Sequence, residues 1–277
     1  LEFLKFVKKN LKAKGMKGAV GTSASYTEGI EKEVMEELGI IAVDIANQTA
    51  PRKIEFLVAS CLASIAQSLN KFAFDLRIMQ SPGFGEWQEP FSEKQIGSSA
   101  MPFKKNPIKS EQICSLARLV VSLSRVTWDN AAHMLLERTL DDSANRRIVN
   151  PEMFLATDEM LLSAAKIVEE LTINEKRITK NLETYWPFSV TESIILEAVK
   201  KGADRQDMHE VCRGLAMKAW EQIQEGKENP IADLLEGNEV ISKYLKPSEI
   251  DALMDPLTHL GNAPQKCGEI LVKIKNV

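Results

Sequence analysis

Apolar residues along this chain recur at intervals of three and four over long stretches, the spacing of one face of an α-helix. Phe56, Leu57, Cys61, Leu62, Ile65, Leu69, Phe72, Leu76 and Met79 follow it, and Ser81-Pro82-Gly83 ends the run. The pattern predicts one long helix there. A second is predicted to open at Asn106-Pro107, with Asn106 as side-chain cap and Pro107 at the first helical position. It should run through Glu111, Ile113, Leu116 and Leu119 to about Leu136. A third is predicted to be capped by Asn150-Pro151 and to reach about Leu171. Helices this long exceed the usual globular helix and point to an all-α fold built on a long-helix bundle.

Shorter elements surround these. Glu31 to Leu38 reads as a helix stopped by Gly39. Beyond Asn174 the expected helices are short, with breaks at Trp186-Pro187, Lys201-Gly202, Asn229-Pro230 and Lys246-Pro247. This change divides the chain into a central helical-bundle domain, 1–172, and a smaller helical C-terminal domain, 173–277. Between the first two long helices lies a stretch, 83–106, rich in Gly, Pro, Ser and Glu. A connection of that length in a compact protein is usually functional or disordered. The first residues, Leu1-Glu2-Phe3-Leu4-Lys5-Phe6-Val7, are already amphipathic, so the chain is expected to start inside a helix, as a fragment of a longer protein.

Composition narrows the function classes. Of the 277 residues, 44% are apolar and 27% charged, as in a soluble globular protein. The net charge is −4, with both signs spread along the sequence. No basic block suggests a nucleic-acid or membrane surface, and Trp and Phe are scattered singly. No uninterrupted apolar run reaches the roughly 18 residues of a membrane span. Cys61, Cys114, Cys212 and Cys267 are far apart, and with His133, His209 and His259 they make a poor metal set. Buried, reduced thiols in a cytoplasmic protein are the expectation.

Three segments carry chemistry. Gly97 to Pro107 sets the hydroxyls of Ser98 and Ser99, the ammonium groups of Lys104 and Lys105, and the amide of Asn106 close together. A serine acts as a base only when its alkoxide is stabilised, which Lys104 and nearby backbone amides could do. Lys104 can neutralise a carboxylate, Asn106 can donate to one, and the helix start beyond them favours anions. Composition alone equally allows a solvated segment that caps a helix. In Glu137-Arg138-Thr139-Leu140-Asp141-Asp142-Ser143-Ala144-Asn145-Arg146-Arg147, Ser143 and Arg147 are four apart and share a helix face, with Arg138 just upstream. Two guanidiniums and a hydroxyl make a phosphate or carboxylate cradle. The plainer reading is an exposed salt-bridge cluster with Asp141 and Asp142. Asn47-Gln48-Thr49-Ala50-Pro51-Arg52-Lys53 reads as a polar turn with a helix start at Pro51, and simple capping would explain it. Glu111 suits a first helical turn. His209 reads as a structural hydrogen-bonder.

The run G-S-S-A-M-P-F-K-K-N-P resembles the signature of the fumarase/aspartase superfamily, roughly G-S-S-x-M-P-x-K-x-N-P. E-R-T-L-D-D-S-A-N-R-R together with Q-T-A-P-R-K resembles the adenylosuccinate lyase branch, and Lys17-Gly18-Ala19-Val20-Gly21-Thr22-Ser23-Ala24-Ser25 resembles its glycine-rich segment. The likeness spans about Gly15 to Gln265. It implies a carbon–nitrogen lyase of purine nucleotide biosynthesis. Such an enzyme β-eliminates fumarate from adenylosuccinate, giving AMP, and from SAICAR, giving AICAR, with no metal or other cofactor.

Carried over by position, the catalytic residues are Ser98 as base, Lys104 as charge stabiliser and Glu111 as partner of a histidine. Gln48, Ser99, Met101, Asn106, Arg138, Ser143 and Arg147 would bind substrate. Gln112 departs from the Arg of some members. The resemblance also implies a homotetramer whose sites draw on three subunits. The family's two catalytic histidines lie upstream of the segment matching Leu1, so this chain alone is expected to be feebly active. Two other readings stay open. One is another lyase branch, such as argininosuccinate lyase or a cycloisomerase, for which a phosphate cradle has no use. The other is a non-catalytic helical oligomerisation module.

Overall fold

The computed structural model describes residues 1–91, 101 and 103–275. They form two compact units, Leu1–Asn174 and Glu175–Val277.

The first unit is organised by three long helices: α3 (Lys53–Met79), α4 (Ile108–Ala132) and α5 (Asp141–Glu169). Before them come α1 (Glu2–Asn10) and α2 (Ile30–Glu37). Strand β1 (Lys12–Ala13) pairs in parallel with β2 (Ile41–Ala42). The inward face of α3 advances by three and four: Ala59, Leu62, Ala66, Leu69, Ala73, Leu76. That is a two-per-heptad seam, the geometry of helices packed nearly antiparallel or parallel. The alanines at every seventh position let neighbouring helices approach closely. On α5, Val149, Met153, Ala156, Met160 and Ile167 follow the same rule, and Ile113, Ala117 and Val120 of α4 fill the space between. By length and composition α3 could cross a membrane; here its apolar seam is part of this core.

In the first unit three points differ from the sequence-based expectation. α4 ends at Ala132, not Leu136, and its length is 25 residues. α5 begins at Asp141, so Pro151 lies inside it rather than at its start. The missing N–H of Pro151 deprives the Arg147 carbonyl of its usual helical partner; Arg147 is exposed, so water can serve instead. The carboxylates of Asp141 and Asp142 in the first turn favour the earlier start through the helix dipole. Thirdly, no side chain of Pro107, the residue at the cap of α4, bonds the helix. The expected Asn106 cap is replaced by a carboxylate from a distant segment, described below.

Strand β3 (Trp87–Gln88) runs antiparallel to β4 (Thr172–Ile173), which fastens the segment after α3 to the end of α5. The bundle therefore runs up, down and up. The C-terminal end of α3, the start of α4 and the end of α5 lie together; the start of α3, the end of α4 and the start of α5 lie at the other end.

The second unit packs α6 (Glu175–Ser189), α7 (Thr191–Lys200), α8 (Arg205–Gln224), α9 (Ile231–Glu236) and α10 (Pro247–Met254) around its own core, with α11 (Ala263–Lys275) following. Ile194, Met208, Ile231, Leu235, Ile241 and Ile250 are fully or almost fully buried there. Pro187 sits within α6, against the expected break at Trp186-Pro187. Breaks at Lys201-Gly202, Asn229-Pro230 and Lys246-Pro247 are present. Asp204 caps α8 by accepting from the amides of Gln206 and Asp207.

Candidate functional site

At the C-terminal end of α3, residues on both sides of the signature segment line a cavity of about 590 Å³. Lys104, Asn106 and Glu111 border it, with Arg77 and Gln80 of α3. Lys104 and Glu111 are exposed and Asn106 is half-buried, so a ligand can reach all three. Met101 is exposed and accepts, through its carbonyl, the Lys104 amide at 3.0 Å. Ser98 and Ser99 lie outside the described residues. Gln112 accepts from the Lys109 ammonium at 3.2 Å.

The free amides at the start of α4 are not available to a ligand as the sequence suggested. Glu89, fully buried, accepts from the amides of Lys109 at 3.0 Å and Ser110 at 2.9 Å, and from the Ser110 hydroxyl at 2.8 Å. A built-in carboxylate thus satisfies the orphan donors and meets the positive end of the helix dipole. The cationic side chains that border the cavity are Arg77, Lys104 and Lys105.

The other end of the bundle gathers three segments. Arg52, at the cap of α3, donates from Nε to Oδ2 of Asp142 in the first turn of α5 at 2.6 Å. Arg52 also bonds Glu55 at 3.2 Å, and Glu55 holds Arg146 through two bonds, one of 2.6 Å from Nε. Asn47 donates to the Leu136 carbonyl at 3.1 Å. The Lys14 ammonium links the carbonyl of Gly18, at 2.5 Å, to that of Gln48, at 2.9 Å. In this way the glycine-rich segment, the Gln48 turn and the Arg138–Arg147 run become neighbours.

Gln48 and Arg147 are exposed, and Ser143 and Arg138 are half-buried. Among the described residues, Arg138 Nε and Asp142 Oδ1 are buried without a hydrogen-bond partner. Asp142 is not the solvated salt-bridge residue that the charged run suggested; its side chain is wholly buried. Arg52 stood inside the Q-T-x-x-R-K run, but only its pairing with a carboxylate 90 residues away reveals its use.

These two ends are far apart. α3 has 27 residues, so about 40 Å separate its termini. One chain brings Gln48, Arg138, Ser143 and Arg147 together, and separately Lys104, Asn106 and Glu111; it does not bring the two groups together.

In the second unit His209 borders a separate open cavity of about 630 Å³ with Asp204, Arg205 and Glu192. Among the described residues no group of His, Cys, Asp and Glu is placed to hold a metal ion.

A family model described as Lyase matches residues 2–122, and one described as Adenylosuccinate lyase C-terminus matches residues 187–269. Adenylosuccinate lyase of Methanocaldococcus jannaschii is 40% identical over 280 residues, covering 100% of this chain and 59% of that protein. The Saccharomyces cerevisiae enzyme is 37% identical, covering 95% of this chain and 56% of its own length. The chain thus spans a little over half the length of the curated relatives it matches. Among solved structures, 3-carboxy-cis,cis-muconate lactonizing enzyme from Pseudomonas putida superposes with a TM-score of 0.79 at 22% identity, covering 95% of this chain and 57% of that one. Fumarate lyase from Mesorhizobium sp. BNC1 gives 0.78 at 23% identity, covering 94% and 57%. At these identities the two structures establish the helical fold, while the relatives matched along the chain and the two family models establish the branch: the chain belongs to the adenylosuccinate lyase family, within the fumarase/aspartase superfamily.

Proposed function

We propose that this chain forms part of an enzyme that eliminates fumarate from adenylosuccinate and from SAICAR, in the cytoplasm. The observation that carries the reading is the division of polar groups between the two ends of α3. One end offers a carboxylate clamp, Lys104 and Asn106; the other offers Arg138, Ser143 and Arg147, suited to a phosphate. A nucleotide bearing a succinyl group needs both. Because one chain keeps them about 40 Å apart, helices of different subunits must bring them together, which supports a homotetramer with shared sites.

The chemistry follows from the charges. Removing a proton next to a carboxylate leaves a carbanion stabilised as a dianionic aci-carboxylate. Lys104 and Asn106 meet that added charge where it develops. Ser98, by its place in the signature, takes the proton; Ser99 and Met101, by theirs, bind substrate. Glu111 orients a histidine, and an acid protonates the departing nitrogen. Gln48 contacts substrate beside the arginines. These steps use no cofactor.

The test mixes two damaged proteins. In the full-length protein, Lys104→Ala and Arg147→Ala should each depress fumarate release, followed by its ultraviolet absorbance. Coexpression should restore part of it, because mixed oligomers contain sites with one intact end from each variant. Activity that stays at the level of the weaker variant would overturn the shared site. Full turnover by the 277-residue segment alone would overturn its incompleteness.

A further inference from the structure

The foot of the signature segment is gathered by one amide. Gln80 is the residue that ends α3, its own backbone N–H donating to the Leu76 carbonyl at 2.8 Å. Its Oε1 accepts the backbone N–H of Glu89 at 2.9 Å, and its Nε2 donates to the Lys105 carbonyl at 3.0 Å. The assignment of oxygen and nitrogen is unambiguous, since a backbone N–H only donates and a carbonyl only accepts. The chain leaves this point at Glu89 and returns at Lys105, so a single side chain holds both passes of the backbone. Glu89 then reaches past it to fasten Lys109 and Ser110. Lys105, the residue pinned by Gln80, stands between Lys104 and Asn106.

We infer that Gln80 is a positioning residue: by bridging Glu89 and Lys105 it fixes where Lys104 and Asn106 stand at the end of α3. The inference rests on the lyase reading for the consequence to catalysis, and on geometry alone for the consequence to order. A group that stabilises charge developing in the transition state is useful only within a fraction of an ångström of its place, and a misplacement of about 1 Å can cost a hundredfold in rate. Loss of Gln80 should therefore act on kcat. The phosphate end of the substrate is held by the separate arginine face, so KM should change less than kcat.

Two variants of the full-length protein test it. Gln80→Met keeps the length and removes both bonds. Gln80→Glu keeps an acceptor for the Glu89 N–H and sets a carboxylate against the Lys105 carbonyl. Both should lower kcat by about ten- to a hundredfold, with KM changed by less than about threefold. Hydrogen exchange at the amides of Lys104 to Ile108 should accelerate while the unfolding midpoint of the whole protein stays put. Unchanged exchange in both variants, or unchanged kcat in an active protein, overturns the inference. If the unmutated full-length protein releases no fumarate, the lyase reading fails, and the exchange measurement still decides the role of Gln80.

Discussion

Arg52 Nε lies 2.6 Å from Asp142 Oδ2, an ion pair that ties the start of α3 to the start of α5 with the carboxylate wholly out of solvent. The arginine is itself only 9% exposed. Burying both charges is expensive, so the pair is not a source of large net stability. Its effect is on geometry: it ties Asp142, the residue before Ser143, to Arg52, four residues after Gln48. Removing one partner is a different matter from removing both. Arg52→Ala leaves Asp142 with Arg146 at 3.6 Å as its remaining ionic neighbour. We expect a loss of about 3 kcal/mol in urea unfolding at fixed protein concentration. Arg52→Met with Asp142→Leu together should recover much of it. A single-variant loss below about 1 kcal/mol would mean that solvent reaches the carboxylate.

Gly21 offers a steric test of the same corner. Its φ is +86°, and an added Cβ would stand 1.7 Å from the Ala46 carbonyl oxygen. Gly29 has an almost identical φ of +87° and open space around it. Gly29→Ala should cost only the backbone strain, about 1 kcal/mol. Gly21→Ala must also push Ala46 away, two residues before Gln48, and should cost at least about 2 kcal/mol and raise KM. Equal unfolding midpoints for the two variants would show that the segments do not meet.

Much of this architecture was legible because it depends on local periodicity. The three- and four-residue spacing located α3, and the signature located the start of α4. The misjudged points were those where a distant group outweighs the local signal. Asn150-Pro151 resembles a helix entrance, but the acids at Asp141 and Asp142, one of them paired with Arg52, start α5 ten residues earlier. Asn106 resembles a cap, but Glu89 reaches the amides first. A polar residue in a Gly- and Pro-rich stretch gives no sign that it is fully buried. The candidate site residues stand in two separate motifs, and their separation along α3 is a property of the bundle that no motif contains.

The thiols give a pH-dependent expectation. Burial pushes the Cys212 thiol from 9.0 up to about 11, because a thiolate inside the second unit's core loses its hydration. The native state therefore holds this proton more tightly than the unfolded chain. The corresponding stability is complete below pH 9.0 and is lost as the pH rises toward 11. Cys267, in contrast, is exposed. A disulfide reagent at pH 8 should label Cys267 promptly and Cys212 only at the rate of unfolding. Prompt labelling of Cys212 in a Cys267→Ser background would contradict the buried core position.

Adjacent arginines on α5 should behave in opposite ways. Arg146 is committed to the fold, its Nε donating to Glu55 Oε2 at 2.6 Å and its Nη1 lying 3.6 Å from Asp142. Arg147 is exposed and, among the described residues, makes no ion pair or side-chain hydrogen bond. One turn above Ser143, it is the cation left for a ligand. Arg146→Ala should lower the urea midpoint, since Glu55 loses its two-pronged partner. Arg147→Ala should leave the midpoint in place and, in the full-length protein and under the proposed function, raise KM for adenylosuccinate by about ten- to a hundredfold, the loss of one charged hydrogen bond to phosphate. Arg147→Lys should recover only part, because an ammonium cannot make the two parallel bonds of a guanidinium. The comparison is made with kinetics and unfolding on the same preparations. Were Arg146→Ala to raise KM with its midpoint intact while Arg147→Ala left KM unchanged, the face of α5 that holds the nucleotide would be the one now buried against α3.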